Sequence, residues 1–203
     1  MVDHYYSHKP DVASDPKYWS CQLKGYLFRF KTDRGVFSKN EVDYGSKLLI
    51  DTFIPPDVDG TILDVGCGYG PIGLALARSY PNRQIHMIDI NERAIRLAKE
   101  NAEQNHIDNV NIFESDVFEN VIEHNYAAIV TNPPIRAGKK VVIEIIEKSY
   151  QHLCDGGEFW VVIQKKQGAP SAKKVMEEIY DEVKIAKRDK GYYILKAKKF
   201  DSD

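Results

Sequence analysis

Leu63-Asp64-Val65-Gly66-Cys67-Gly68-Tyr69-Gly70 is an apolar run that breaks into glycines at alternate positions. Thr61 to Val65 reads as a buried strand, and Pro71 to Ser79 as a helix with proline in its first turn. Glycines between the two let the backbone turn sharply and approach a ligand without Cβ clashes. The carboxyl end of a strand is where open α/β sheets bind ligands. Gly68-x-Gly70-x-x-Gly73 also fits the dinucleotide pattern G-x-G-x-x-G, although an ordinary tight strand-to-helix turn can produce that match.

Outward from this turn the chain alternates strand and helix with short connections. Gln84 to Ile90 reads as a second strand and Glu92 to Gln104 as a helix, with Ala94, Ile95, Leu97, Ala98 and Ala102 largely on one face. Val110 to Glu114 and Tyr126 to Thr131 read as the third and fourth strands. Val141 to Leu153 follows as a helix ended by Asp155-Gly156-Gly157, and Glu158 to Gln164 as the fifth strand. After a helix from about Ser171 to Tyr180, Glu182 to Lys187 and Tyr192 to Lys198 form a hairpin around Arg188-Asp189-Lys190-Gly191, adding an antiparallel edge strand. The alternation predicts an α/β fold: a Rossmann-like, seven-stranded, mostly parallel sheet with helices on both faces and an antiparallel C-terminal hairpin. Before it, Gly25 to Thr32 alternates like a strand with Val36-Phe37-Ser38 as its hairpin partner, and a helix runs from about Val42 to Phe53. Residues 1–55 thus form a β-hairpin/helix extension packed on a core of residues 56–203, within one domain of 203 residues.

Hydrophobic content of 43% and charged content of 29% are ordinary for a soluble globular protein. The net charge of -2 gives no global field for nucleic acid, so such a partner has to be met by a local basic patch. Cys21, Cys67 and Cys154 are widely spaced and show no Cys/His ligand pattern, which suits a reducing cytosol and points to no metal site. The start lacks a signal-peptide pattern, and no apolar stretch approaches the roughly 20 residues of a membrane helix. The expected location is cytoplasmic, without a membrane partner.

Three further positions lie at strand ends. Asp89 closes the second strand, where a carboxylate can accept hydrogen bonds from both ribose hydroxyls of a nucleoside, whether of NAD or of S-adenosylmethionine. Asp116, after the third strand, is placed to meet an adenine amino group, or to serve as a solvated turn residue. Asn132-Pro133-Pro134-Ile135 follows the fourth strand. Two prolines stiffen that loop and hold the Asn amide and nearby carbonyls in place.

The series Asp64-x-Gly66-x-Gly68-x-Gly70, Asp89, Asp116 and Asn132-Pro133-Pro134 resembles that of Class I S-adenosylmethionine-dependent methyltransferases, in the branch that methylates exocyclic or amide nitrogens. Gly35-Val36-Phe37-Ser38, Asp43-x-Gly45-Ser46 with Leu48-Leu49, and Asn132 through Lys139 are similar to the RsmC-like ribosomal RNA guanine-N2 methyltransferases, especially their short one-domain members. The likeness runs from His4-Tyr5-Tyr6-Ser7 to the terminal hairpin.

The resemblance implies that Gly66, Cys67 and Gly68 lie along the methionine portion of the cofactor, S-adenosylmethionine, and that Asp64 is also a cofactor-binding residue. Asp89 and Ile90 hold and cover its ribose and adenine, Asp116 and Val117 meet the adenine edge, and Phe37, Ser38 and Ser46 close the methionine end. Asn132, with Pro133 and Pro134, is the implied catalytic group and also borders the cofactor. Ile135, Arg136 and Lys139 face the substrate. Many relatives carry an aromatic residue where Ile135 stands, so Tyr69, Phe37 and Phe118 become candidates for stacking on the target base. Arg136, Lys139 and Lys140, with Lys165, Lys166, Lys173 and Lys174, can form a phosphate-contacting rim for small-subunit ribosomal RNA. The same chemistry on a protein glutamine amide or an adenine amine is the alternative. An NAD-dependent oxidoreductase leaves Asn132-Pro133-Pro134 unexplained, and a non-catalytic RNA-binding module leaves the intact glycine turn and Asn132 unexplained. Larger relatives pair an active domain with a degenerate copy, which implies a homodimer here.

Overall fold

The computed structural model describes residues 6–200, so His4 and Tyr5 lie outside the described residues. Its main sheet uses β3 (Ile62–Val65), β4 (Ile85–Asp89), β5 (Val110–Glu114), β6 (Tyr126–Thr131), β7 (Leu153–Gln164), β8 (Glu182–Asp189) and β9 (Tyr192–Lys198). The strand order is β5-β4-β3-β6-β7-β9-β8. From β3 the chain builds outward through β4 and β5 on one side, then returns to β6 and β7 on the other. A crevice opens where the order reverses, between the carboxyl ends of β3 and β6. Their register pairs Val65 with Thr131, so the residues that follow, Gly66 and Asn132, emerge side by side. Thr131 Oγ1 ties the two ends by donating to the Val65 carbonyl at 2.8 Å.

Both faces of the sheet are covered. Ile62, Ile85, Met87, Val130 and Val162 meet α1 (Tyr44–Thr52), α2 (Pro71–Ser79) and α3 (Glu92–Gln104) on one face. Leu63, Val65, Ile129, Phe159 and Val161 meet α4 (Lys139–His152) and α5 (Ala169–Ile179) on the other. Alternate residues of one strand serve opposite cores, which is why β3 and β6 are buried throughout. Each fully buried large aliphatic side chain contributes about 1.5–3 kcal/mol.

The N-terminal hairpin corrects one expectation. The partner of β2 (Tyr26–Thr32) is β1 (Lys17–Leu23), which precedes it, and not Val36-Phe37-Ser38. Lys24 and Gly25 supply the two positive φ angles, 51° and 83°, of a two-residue turn suited to strand twist. Val36 to Ser38 instead form irregular turns, with Ser38 itself at φ 55°. The outer edge of β2 is stitched to α3 by amides that imitate a neighbouring strand. Asn101 accepts from Lys31 N at 2.7 Å and donates to Lys31 O at 3.0 Å, and Asn105 does the same with Arg29 at 3.0 and 2.8 Å.

One boundary also moves. Asp155-Gly156-Gly157 does not end α4. Leu153 takes extended backbone and pairs with Tyr126, so the glycines lie inside a long β7. The C-terminal hairpin closes one side of the sheet as expected: β9 lies antiparallel between β7 and β8, leaving β8 outermost.

Candidate active site

Three turns meet over the crevice. The first leaves β3 with Gly66, Gly68 and Gly70 at φ 72°, 57° and 108°, conformations that side chains other than glycine rarely adopt. Gly66 N and Cys67 N both donate to Ile88 O, at 2.9 and 2.8 Å, which fastens the turn to the end of β4. At Gly66 and Gly68 a Cβ would meet nothing within 4 Å among the described residues apart from its chain neighbours, so the backbone borders open space. Gly73 is glycine for another reason: a Cβ there would sit 2.6 Å from Met87 Cγ and Sδ, so it permits α2 to lie against β4.

Asp89 braces the turn from the next strand. Its Oδ2 accepts from Gly68 N at 2.8 Å and its Oδ1 from Asn91 N at 2.8 Å. Burial pushes its carboxyl up to about 6 although these N–H groups favour the charged form. Each carboxylate oxygen retains acceptor capacity toward the cavity.

Asn132 rises from β6 on the opposite wall. Its Nδ2 donates to Asp43 Oδ2 and to Ser46 Oγ, each at 3.0 Å. Pro133 and Pro134 are buried, and a single 3-10 turn, Ile135–Ala137, carries the chain to α4. Between these walls lies a cavity of about 310 Å³, within the range of small-molecule sites.

The cavity gathers Phe37, Ser38, Ser46, Gly66, Cys67, Gly68, Asp89, Ile90, Val117, Asn132, Pro133, Pro134, Ile135 and Arg136. Val117 stands at φ 48°, a strained conformation for a β-branched residue. Three expected residues are not in its lining. Asp116 is exposed just outside it and accepts the Tyr6 hydroxyl at 3.3 Å, while its neighbours Ser115 and Val117 reach in. Lys139 is exposed at the start of α4 and borders a separate apolar groove against α5. Asp64 lies beneath the glycine turn with no exposed surface, its Oδ2 accepting from Gly73 N at 2.9 Å. It therefore secures the turn to α2 rather than touching what the cavity holds.

Of the stacking candidates, Tyr69 is packed between Trp19 and Phe30 with its hydroxyl donating to Ser38 and Glu41 carbonyls. Phe118 is buried and stacked on His152. Phe37, 47% exposed, alone of the three is open to the solvent side of the cavity. Sequence reasoning missed Tyr6, Asp43, Gln164, Gln167 and Tyr192 as cavity residues. Gln164 had a signal, since it closes a strand at the same sheet edge as the other site residues. Lys165 and Lys166 are exposed beside Gln164 and Gln167, so basic residues adjoin the lining there as well as at Arg136. Lys173 is engaged by Glu177.

Asp64 carries a pH prediction. Among the described residues its buried Oδ1 has no partner, and burial pushes the carboxyl up to about 7. The native state then keeps a proton that the unfolded chain has lost between about pH 4 and 7, so stability falls as pH rises through that window. Asp64→Asn keeps an oxygen for Gly73 N–H and cannot ionise. Its melting temperature relative to the unmodified chain should climb between pH 4 and pH 8 by about 4 °C or more. A pH-independent difference in calorimetry would contradict this.

The family model described as methyltransferase small domain matches residues 27–196. An uncharacterized Bacillus subtilis protein, YbxB, is 61% identical over 200 residues, covering 98% of this chain and 100% of its own. Ribosomal RNA small subunit methyltransferase C of Vibrio cholerae is 32% identical over 193 residues, covering 93% of this chain and 55% of its own. The solved Thermus thermophilus 16S rRNA N2 G1207 methyltransferase, RsmC, in complex with AdoMet and guanosine, superposes with a TM-score of 0.82 at 27% identity. That match covers 94% of this chain and 52% of the other, so the chain spans about half the length of these last two relatives. The switch-point cavity under a glycine turn, with these likenesses, defines the class: an S-adenosylmethionine-dependent methyltransferase of Class I. The chain belongs to the methyltransferase small domain family and resembles its RsmC-like members.

Proposed function

We propose that the chain methylates the exocyclic N2 amine of a guanine in small-subunit ribosomal RNA. The observation that carries this reading is the Val65 to Thr131 register, which sets the glycine turn and the Asn132 amide on facing walls of one cavity. When bound, S-adenosylmethionine supplies an electrophilic sulfonium methyl. Open space beside Gly66 and Gly68 fits a ligand chain lying along Gly66, Cys67 and Gly68. Asp89 accepts from the ribose hydroxyls, Ile90 covers the adenine, and Val117 meets its edge with Asp116 beyond. Phe37, Ser38 and Ser46 close the far end.

A guanine N2 nitrogen is a poor nucleophile because its lone pair is delocalised into the ring. The Asn132 side-chain oxygen and the Pro133 carbonyl accept its two hydrogens, so the nitrogen can pyramidalise with its lone pair aimed across the cavity. Positioning, and acceptors fixed around charge that grows on nitrogen, lower the barrier. Ile135 gives apolar contact to the base, while Phe37 offers the ring for stacking, worth about 1–3 kcal/mol. Arg136, with Lys139, Lys140, Lys165 and Lys166 outside the pocket, meets phosphates. Ribosomal RNA is favoured as substrate over a protein amide by the likeness to the Vibrio and Thermus enzymes, and guanine N2 over an adenine amine by the likeness to the Thermus 16S rRNA N2 G1207 methyltransferase.

Among the described residues no helix is long and apolar enough to cross a membrane, and the reading implies a cytoplasmic enzyme. The test is transfer of tritiated methyl from S-adenosylmethionine to naked 16S RNA and to assembled small subunits, followed by nucleoside digestion. Label in N2-methylguanosine is expected; label only in N6-methyladenosine or in protein would overturn the substrate. The reading also includes a homodimer, since the Vibrio and Thermus relatives are about twice as long. Light scattering should give twice the chain mass, and a monomeric mass at working concentration would contradict it.

A further inference from the structure

We infer that Asp43 is a positioning residue that dictates which end of the Asn132 amide faces the substrate; this rests on the reading of Asn132 as an acceptor for the target amine. Asp43 lies 89 residues from Asn132 in sequence and caps α1, its Oδ2 accepting from Ser46 N at 3.1 Å. The same oxygen accepts from Asn132 Nδ2 at 3.0 Å, and Ser46 Oγ accepts from Nδ2 at 3.0 Å. An ionised carboxylate has no hydrogen to donate, so only the nitrogen end of the amide can face it. Flipping Asn132 would press its oxygen against the Asp43 carboxylate and lose that bond, whereas the Ser46 hydroxyl can donate as well as accept, so Asp43 is the group that decides the orientation.

Both Nδ2 hydrogens are thereby used. Among the described residues, Asn132 Oδ1 has no hydrogen-bond partner, and it is the amide's remaining group for the cavity that Asn132 lines. The cap of α1 therefore converts a two-faced amide into a dedicated acceptor. The site therefore matches an edge that brings N–H groups and opposes one that brings a carbonyl. Ser46, at the third helical position, holds the second hydrogen, so one turn of α1 sets the amide completely.

Two substitutions separate this role from helix capping. Serine is a good N-cap but one atom too short to keep the contact with Asn132, whereas asparagine can offer its oxygen to both donors. Asp43→Ser should retain a melting temperature within a few degrees and S-adenosylmethionine affinity within about threefold, yet lower kcat by about tenfold to a hundredfold. Asp43→Asn should recover most of that loss. Adding Asp43→Ser to Asn132→Ala should lower kcat no further, because both act through one group. Exchange of the Asn132 side-chain amide hydrogens, followed by 15N NMR, needs no substrate and should accelerate at least tenfold in Asp43→Ser alone. Unchanged exchange, or an equal kcat loss in the Asn132→Ala background, would overturn the inference. If the exchange result holds while no RNA is methylated, the guanine reading fails and the positioning role stands.

Discussion

Asn132→Ala is expected to reduce methyl transfer by about a hundredfold to a thousandfold, the cost typical of removing one fixed group that stabilises charge in a transition state. Affinity for S-adenosylmethionine should stay within a few-fold, because the glycine turn and Asp89 lie on the other wall. The fold should survive: the side chain is only partly buried, and its loss frees Asp43 Oδ2 to serve Ser46 N alone. The informative pattern is therefore a fall in kcat with little change in cofactor dissociation constant. Single-turnover transfer beside calorimetric titration measures both. Near-normal transfer would remove Asn132 from the chemistry and leave its contacts with Asp43 and Ser46 as packing.

Asp89→Asn should weaken S-adenosylmethionine binding by about tenfold to a hundredfold, since hydrogen bonds to a charged group are worth about 1.5–3 kcal/mol. Two effects combine. A ribose loses an ionised acceptor, and the amide cannot serve both Gly68 N and Asn91 N, whose bonds to the two carboxylate oxygens order the turn. The pH dependence gives the sharper signature. The Asp89 carboxyl, raised by burial to about 6, is ionised and competent above that pH and protonated below it. Binding should thus hold between pH 7 and 8 and weaken below 6, approaching tenfold per unit. Asp89→Asn should flatten that limb. A profile that keeps the same limb in Asp89→Asn would place the titrating group elsewhere.

The central layers of the fold were legible because strong local signals agree there. α3 spans the expected residues: Asn91 caps it through Arg93 N and Ala94 N, and one face is apolar. α2 starts at Pro71 as expected, and β5 and β6 keep their expected ends. The hairpin partner of β2 was misread because Lys24-Gly25 is a less familiar turn signal than Asn-Gly, although both residues take the positive φ such turns require. The β7 start was misread because Gly156-Gly157 looks like a helix stop, yet Gly156 N donates to Lys199 O at 2.8 Å within the sheet region.

The site divides in the same way. Gly66, Ile90 and Asn132, directly after strands, line the cavity as their positions imply, since the carboxyl edge of the sheet gathers such residues whatever the loops do. Asp64 and Asp116 sit in the right motifs, but a side chain's direction depends on its neighbours: Asp64 turns beneath the loop toward Gly73, and Asp116 turns outward to Tyr6. Asp43, Tyr6 and Tyr192 come from the extension and from the antiparallel strand, brought in by long-range packing that no local spacing records.

The most direct test of the guanine-N2 assignment is mass spectrometry of digested ribosomal RNA from cells with and without the gene. One N2-methylguanosine of the small-subunit RNA should disappear without the gene, return with an intact copy, and stay absent with a copy carrying Asn132→Ala. An unchanged methylguanosine content, with loss confined to another methylated nucleoside or to none, would contradict it.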